Sequence, residues 1–188
     1  MDPIEISLKI NKELERTLKT INPQQAEKLV DLISLSKRIF IAGAGRSLLM
    51  MRGLAMRLMQ LEFQSFVVGD TVTPAIGPGD LLIIGSGSGE TGTLKVVAKN
   101  TRSTGAKLAL ITIFPESSIG QYANLVVQIS ATTSKVNNEE NKNTIQPGAN
   151  TFEQSLLIFC DAVVIRLIEK LGIKNPNEII MKYHANLE

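Results

Sequence analysis

With 188 residues, 44% of them hydrophobic and 20% charged, the chain is sized for one globular domain with a full core. A formal net charge of +2 and the lack of any like-charge block argue against a nucleic-acid or membrane partner held by long-range electrostatics. One cysteine and one histidine cannot supply an internal disulfide or a transition-metal site built on those ligands, so no metal is predicted.

No uncharged apolar segment approaches the ~20 residues of a membrane span. The first twenty residues scatter Asp2, Glu5, Lys9, Lys12, Glu13, Glu15 and Arg16 among apolar positions, unlike a signal peptide, and a cytoplasmic protein is expected. Ile4, Leu8, Leu14, Leu18 and Ile21 recur at helical intervals and predict an amphipathic opening helix packed outside the main core, open to another subunit. Asn22-Pro23 reads as a cap followed by proline at the first helical position. Ala26, Leu29, Val30 and Ile33 then form one face of a helix ending near Ser36.

Arg38 to Gly43 is a short apolar run closing on glycine, followed by Met51, Leu54, Ala55, Leu58 and Met59 at helical spacing. The same strand, turn, helix pattern continues. Further strands are predicted at Ser65 to Val68, Leu81 to Gly85, Lys107 to Ile113 and Leu125 to Ile129, with Leu94, Val97, Ala98 and Thr101 marking a helix between. Five short apolar strands alternating with helices predict an α/β fold: a three-layer, doubly wound, five-stranded parallel sheet in flavodoxin-like order 2-1-3-4-5, with an extra N-terminal helix. Residues 130–150 are polar and too long for a routine connection, which marks a mobile segment or a functional loop. Phe152 to Leu171 then reads as one long helix closed by Gly172, and a short helix from Asn177 to about Tyr183 precedes the tail. Cys160 falls on the apolar face of the long helix and is read as buried filler.

The chemistry is expected at Gly85-Ser86-Gly87-Ser88-Gly89-Glu90-Thr91. Three glycines let the backbone turn sharply against a ligand, while Ser86, Ser88 and Thr91 offer hydroxyl donors. A helix beginning near Thr91 would aim its free N–H groups at the same spot, as a phosphate requires. In the predicted strand order the loop Gly43-Ala44-Gly45-Arg46-Ser47 flanks the same switch point. Gly45 and Arg46 become possible substrate contacts, against the plainer readings of Ser47 as a helix cap and Arg46 as a solvated charge. Gly43 and Gly45 with Asp70 also admit a dinucleotide reading, although Leu48 stands where a third glycine belongs.

Glu90 is expected to point away from a bound anion, as a first-turn acid favoured by the helix dipole. Glu153 follows Asn150 at capping-box spacing, which gives it a structural reading, but its place after the polar loop and at a helix start favours catalysis. His184 near the C-terminus reads as a surface residue or as the one side chain suited to proton transfer near neutral pH.

The glycine-serine cradle with Gly43 to Ser47 before it resembles the sugar isomerase (SIS) domain. Ala55 to Met59, Val68-Gly69-Asp70, Pro115 to Gly120, Thr144 to Pro147, Phe152-Glu153-Gln154 and His184 to Glu188 are similar, more narrowly, to the 6-phospho-3-hexuloisomerase family. The resemblance implies interconversion of 3-hexulose 6-phosphate and fructose 6-phosphate, the second step of formaldehyde fixation by the ribulose monophosphate route. It implies a homotetramer whose active sites are completed between subunits. Ser47, Ser86, Ser88 and Thr91, with Gly87 and Gly89, would hold the phosphate, and Glu153 and His184 would be the acid/base pair. Two positions depart from the family: Gly148-Ala149 after Pro147, where Met-Gly is usual, and Leu48, where glycine is usual.

The implied chemistry suits the inventory. Moving a carbonyl between neighbouring carbons needs a base and hydrogen-bond partners for an enediolate, and no redox cofactor or metal. A carboxylate sheltered from water is the suited acceptor, which selects Glu153, leaving His184 to move protons between substrate oxygens. The competing readings are a non-catalytic sugar-phosphate sensor, which would call for an attached output module, another aldose/ketose phosphate isomerase, and a nucleotide-binding oxidoreductase.

Overall fold

A computed structural model describes residues 1–132 and 144–187. The polar run Asn137 to Asn143 and the terminal Glu188 lie outside these residues. Five parallel strands, β1 (Ile39–Gly43), β2 (Ser65–Val67), β3 (Leu81–Gly85), β4 (Lys107–Thr112) and β5 (Leu125–Gln128), form one sheet in the order β2-β1-β3-β4-β5. The helices are α1 (Pro3–Leu18), α2 (Pro23–Leu35), α3 (Gly45–Gln60), α4 (Gly92–Ser103), α5 (Asn150–Lys170) and α6 (Pro176–Lys182).

Alternate strand residues serve the two faces, as a pleated sheet covered on both sides requires. Ile39, Ile41, Leu81, Ile83, Ala109 and Ile111 pack with Leu29 and Ile33 of α2, Met51 and Leu58 of α3, and Phe152 and Leu156 of α5. Phe40, Ala42, Leu82, Ile84, Leu108 and Leu110 meet Leu94 and Ala98 of α4 and Ile119 on the other face. The predicted faces that cover the sheet hold in the main; Met59 is exposed because it falls on the outer side of α3, and Ile4 and Leu8 at the start of α1 and Leu171 at the end of α5 are exposed as well. Cys160 is wholly buried, and burial, with Asp161 beside it, pushes its thiol up to about 12, which leaves it inert filler.

α1 lies outside these two cores, as its sequence predicts, and packs on α5. Asp2 caps it, accepting from the amides of Ile4 and Glu5 while the Glu5 carboxylate returns to the Asp2 amide. Its buried Glu13 accepts from Thr144 Oγ1 (2.8 Å), the Ile145 amide (3.0 Å) and Gln146 Nε2 (3.2 Å), tying α1 to the segment that leads into α5. Burial alone would raise the Glu13 carboxyl, but these donors and Arg16 outweigh it and hold it below its ordinary value.

The start of β1 is fixed by a second buried acid. Asp80 takes two bonds from Arg38, Nε to Oδ1 at 3.0 Å and a terminal nitrogen to Oδ2 at 2.6 Å, and one from the Gly77 amide at 2.8 Å. Arg38, chiefly, holds the Asp80 carboxyl below its ordinary value. A depressed carboxylate contributes stability that is complete above its unfolded pKa and is lost as pH falls through the folded one. Asp80→Asn is therefore expected to cost about 2–3 kcal/mol at neutral pH and to flatten the acid limb of the stability curve. Denaturant unfolding at a series of pH values reads both effects; an unchanged curve would remove Asp80 as a stabilising anion.

Candidate active site

β1 and β3 are neighbours in the sheet, and Gly43 stands opposite Gly85 at their C-terminal ends. α3 leaves β1 on one face and α4 leaves β3 on the other, so a crevice opens between them. The crevice is a cavity of about 180 Å³ lined by Gly45, Arg46 and Ser47 from the first loop, Ser86, Gly87, Ser88 and Thr91 from the second, and Glu153 from the start of α5. Eight residues singled out in the sequence thus meet in one place, with Ala44, Gly85, Ile113, Ala149 and Phe152 completing the wall.

The glycines here answer to close packing. A Cβ on Gly85 would lie 2.6 Å from the Met51 side chain, and one on Gly87 would lie 3.2 Å from Phe152. Phe152 is fully buried beneath the cradle, so its neighbour in α5, Glu153, is delivered to the cavity wall. Gly89 does not line the cavity; it makes the turn beneath it, at φ +61.

Three helices, α3, α4 and α5, begin at this cavity, and none has a side-chain cap; of the remote helices, α1 and α2 are capped by Asp2 and Asn22, and the short α6 is not capped. Ala44 and Ala149 occupy two of the cap positions, and their side chains have nothing to donate or accept. Thr91 occupies the third with its hydroxyl unused for capping. In α4 the first intrahelical bond is donated by Lys95 to the Thr91 carbonyl, which leaves the amides of Gly92, Thr93 and Leu94 for another acceptor. Three uncapped helix ends and several hydroxyls around one cavity have the chemistry that suits an anion. Ser86 Oγ accepts from the Gly89 amide and Ser88 Oγ from the Glu90 amide, both at 3.2 Å, so each hydroxyl shapes the loop through its oxygen and keeps its proton to donate.

Some expectations change. Ser47 is no helix cap, since α3 is entered at Ala44. The capping-box reading of Asn150 and Glu153 fails because Gly148, at φ +66, turns the chain early enough that α5 already includes Asn150. The Glu153 carboxylate instead accepts from Arg46 Nε at 2.5 Å. Glu90 points away from the cavity as expected, but it precedes the cap and lies outside the helix's first turn. Its carboxylate takes the Ser118 amide and hydroxyl, each at 2.7 Å, and is held below its ordinary value chiefly by that amide. Asp70 pairs with Arg52 at 2.8 Å and lies outside this cavity, which leaves the dinucleotide reading without its acid.

His184 does not join the cavity of its own chain. It follows α6, whose end is held by Glu62 through Lys182 (3.1 Å) and Tyr183 (2.8 Å), and Glu62 lies just past the C-terminal end of α3. The cavity is at the other end of that helix, about 24 Å away at 1.5 Å per residue. Among the described residues no three His, Cys, Asp or Glu side chains gather as a metal site would require, and no helix is long and apolar enough to cross a membrane.

Residues 32–160, which hold both loops and Glu153, match the SIS domain. The chain belongs to the SIS domain family. This SIS protein is 44% identical to the 3-hexulose-6-phosphate isomerase of Bacillus subtilis (strain 168) over the full length of both chains. The enzyme of the same name from Methylomonas aminofaciens is 39% identical over 86% of this chain and 87% of its own. A solved protein of Methanococcus jannaschii, for which a 3-hexulose-6-phosphate isomerase function has been inferred, superposes over the whole of both chains with a TM-score of 0.81 at 32% identity.

Proposed function

We propose that this SIS protein is a sugar-phosphate isomerase that interconverts D-arabino-hex-3-ulose 6-phosphate and D-fructose 6-phosphate in the cytoplasm, as the second step of formaldehyde fixation by the ribulose monophosphate route. The observation that carries the reading is the cavity itself, where three uncapped helix ends and the hydroxyls of Ser47, Ser86, Ser88 and Thr91 stand beside one carboxylate. The full-length likeness to isomerases of that name supports the choice of substrate.

With the phosphate in the cradle, the sugar extends toward Glu153. Its carboxylate removes the proton from C2, and the C2–H electrons form an enediolate across C2 and C3. The same proton returned to C3 places the carbonyl at C2, while a second proton passes from O2 to O3. His184 performs that second transfer from another copy of the chain, because its own cavity lies beyond its reach. Exposed apolar side chains support an assembly, which we take to be a homotetramer: Ile4 and Leu8 on α1, Leu49 and Met56 on α3, and Leu157, Ile158 and Ile165 on α5. α5 is apolar on its outer as well as its inner side, the pattern of a helix covered twice.

Purified protein supplied with 3-hexulose 6-phosphate, arabinose 5-phosphate or glucose 6-phosphate in a coupled assay is expected to turn over the first alone. Turnover of a different one, or of none, would overturn the assignment. Mixing inactive Glu153→Gln and His184→Asn proteins is expected to restore about a quarter of native activity, since random assembly gives a site both intact groups one time in four. No recovery in oligomers shown to be mixed would mean that Glu153 and His184 do not reach one site from different chains.

A further inference from the structure

Arg46 and Glu153 lie 107 residues apart in sequence, and Arg46 Nε donates to Glu153 Oε2 at 2.5 Å. Their freedom differs. The Glu153 side chain is 13% exposed and is seated next to fully buried Phe152, whereas the Arg46 side chain is 56% exposed. Arg46 follows Gly45, which takes a left-handed conformation at φ +55 with nothing within 4 Å of where its Cβ would stand. The guanidinium has room to turn; the carboxylate is held by its helix.

Among the described residues, Arg46 is the one cation in the cavity wall, beside Ser47, Ser86, Ser88 and Thr91. A phosphate entering the cradle therefore meets a single guanidinium, and that guanidinium is already bonded to the group needed as proton acceptor. Guanidinium forks bind phosphate by paired, charge-assisted bonds, and a dianion competes well with one carboxylate. A carboxylate oxygen engaged with Arg46 is in turn poorly placed to take a proton from carbon.

We propose that Arg46 is a phosphate-released latch on Glu153. In the empty cavity Arg46 holds the carboxylate; an arriving phosphate takes the guanidinium and frees Glu153 to accept the carbon-bound proton. Arg46 is thus a positioning residue that makes base release conditional on a filled phosphate anchor, and a sugar lacking phosphate meets an engaged carboxylate. The inference rests on the reading of this cavity as a sugar-phosphate site.

The test is isothermal titration of inorganic phosphate into four full-length proteins: native, Glu153→Gln, Arg46→Gln and the double variant. If binding must break the pair, removing the Glu153 charge releases Arg46 in advance and tightens phosphate binding. With Gln at position 46 only the plain repulsion between Glu153 and phosphate remains to be removed. The tightening is therefore expected to be about fivefold greater with Arg46 present than without it. Equal tightening in both backgrounds would mean that Arg46 keeps its hold on Glu153, or never affects the anion, and would overturn the latch. Arg46→Ala completes the same cycle if Arg46→Gln fails to fold. Native protein that does not turn over 3-hexulose 6-phosphate would sink the isomerase reading instead, while equal tightening sinks the latch whatever the turnover.

Discussion

Replacing Glu153 with Gln is expected to lower kcat by at least about a hundredfold while sugar-phosphate binding is kept or strengthened. The substitution is nearly isosteric and removes what is, among the described residues, the only carboxylate in the cavity wall. It leaves Phe152 seated under Gly87 and leaves every hydroxyl of the cradle in place. What disappears is the acceptor for the C2 proton, an interaction required in the transition state and not in the ground state, so the loss belongs in kcat. Steady-state rates with 3-hexulose 6-phosphate, paired with titration of the product to measure binding, separate the two effects. A variant with near-native kcat would show that another group takes the proton, and a variant that no longer binds would make Glu153 a structural support of the cradle.

The parts of this site legible in the sequence are those written in neighbouring residues. The runs Ile39 to Gly43 and Leu81 to Gly85 are apolar enough to be covered on both faces, and each ends in glycine where the chain must turn. The strand order follows from alternating strands and helices, and it brings Gly43 opposite Gly85. Hydroxyls in the second loop, alternating with glycines, mark the cradle before any coordinate is known.

Contacts between residues far apart in the chain left no such mark. The Arg46–Glu153 pair spans 107 residues, and the Glu90–Ser118 pair spans 28. No periodicity encodes either. The start of α5 differs from the capping-box spacing for a different reason. Asn is a favoured cap, but the left-handed turn at Gly148 starts the helix one residue earlier, and alanine at the cap leaves the helix amides open. A residue that would have been a better cap is absent where a ligand is expected. The same holds at Ala44 in front of α3, and alanine at two cap positions beside one cavity is a pattern that propensity alone reads as noise.

Gly89→Ala is expected to destabilise the protein by about 2–4 kcal/mol and to weaken sugar-phosphate binding at least tenfold. Two costs combine at this position. Alanine is strained at φ +61, and its Cβ would fall 1.9 Å from Ser117 Oγ and 2.4 Å from Ser117 Cβ. A rotamer change at Ser117 relieves only the first contact, because Cβ moves only with the backbone. That backbone is confined in turn: Ser117 is buried, and Gly120 is pressed so closely to the Pro115 carbonyl that its own Cβ would stand 2.0 Å from the oxygen. The 115–120 segment must therefore move as a unit. Ser118 belongs to it and holds the Glu90 carboxylate, so the displacement reaches the loop that carries Ser86, Ser88 and Thr91. Gly77→Ala supplies the contrast, since its Cβ would meet nothing within 4 Å and its φ is not left-handed. Denaturant unfolding and phosphate titration on both variants decide the matter: a Gly89→Ala protein as stable and as tightly binding as Gly77→Ala would mean that the cradle does not depend on its packing against the Pro115 to Gly120 segment, and that its shape is set by the sheet alone.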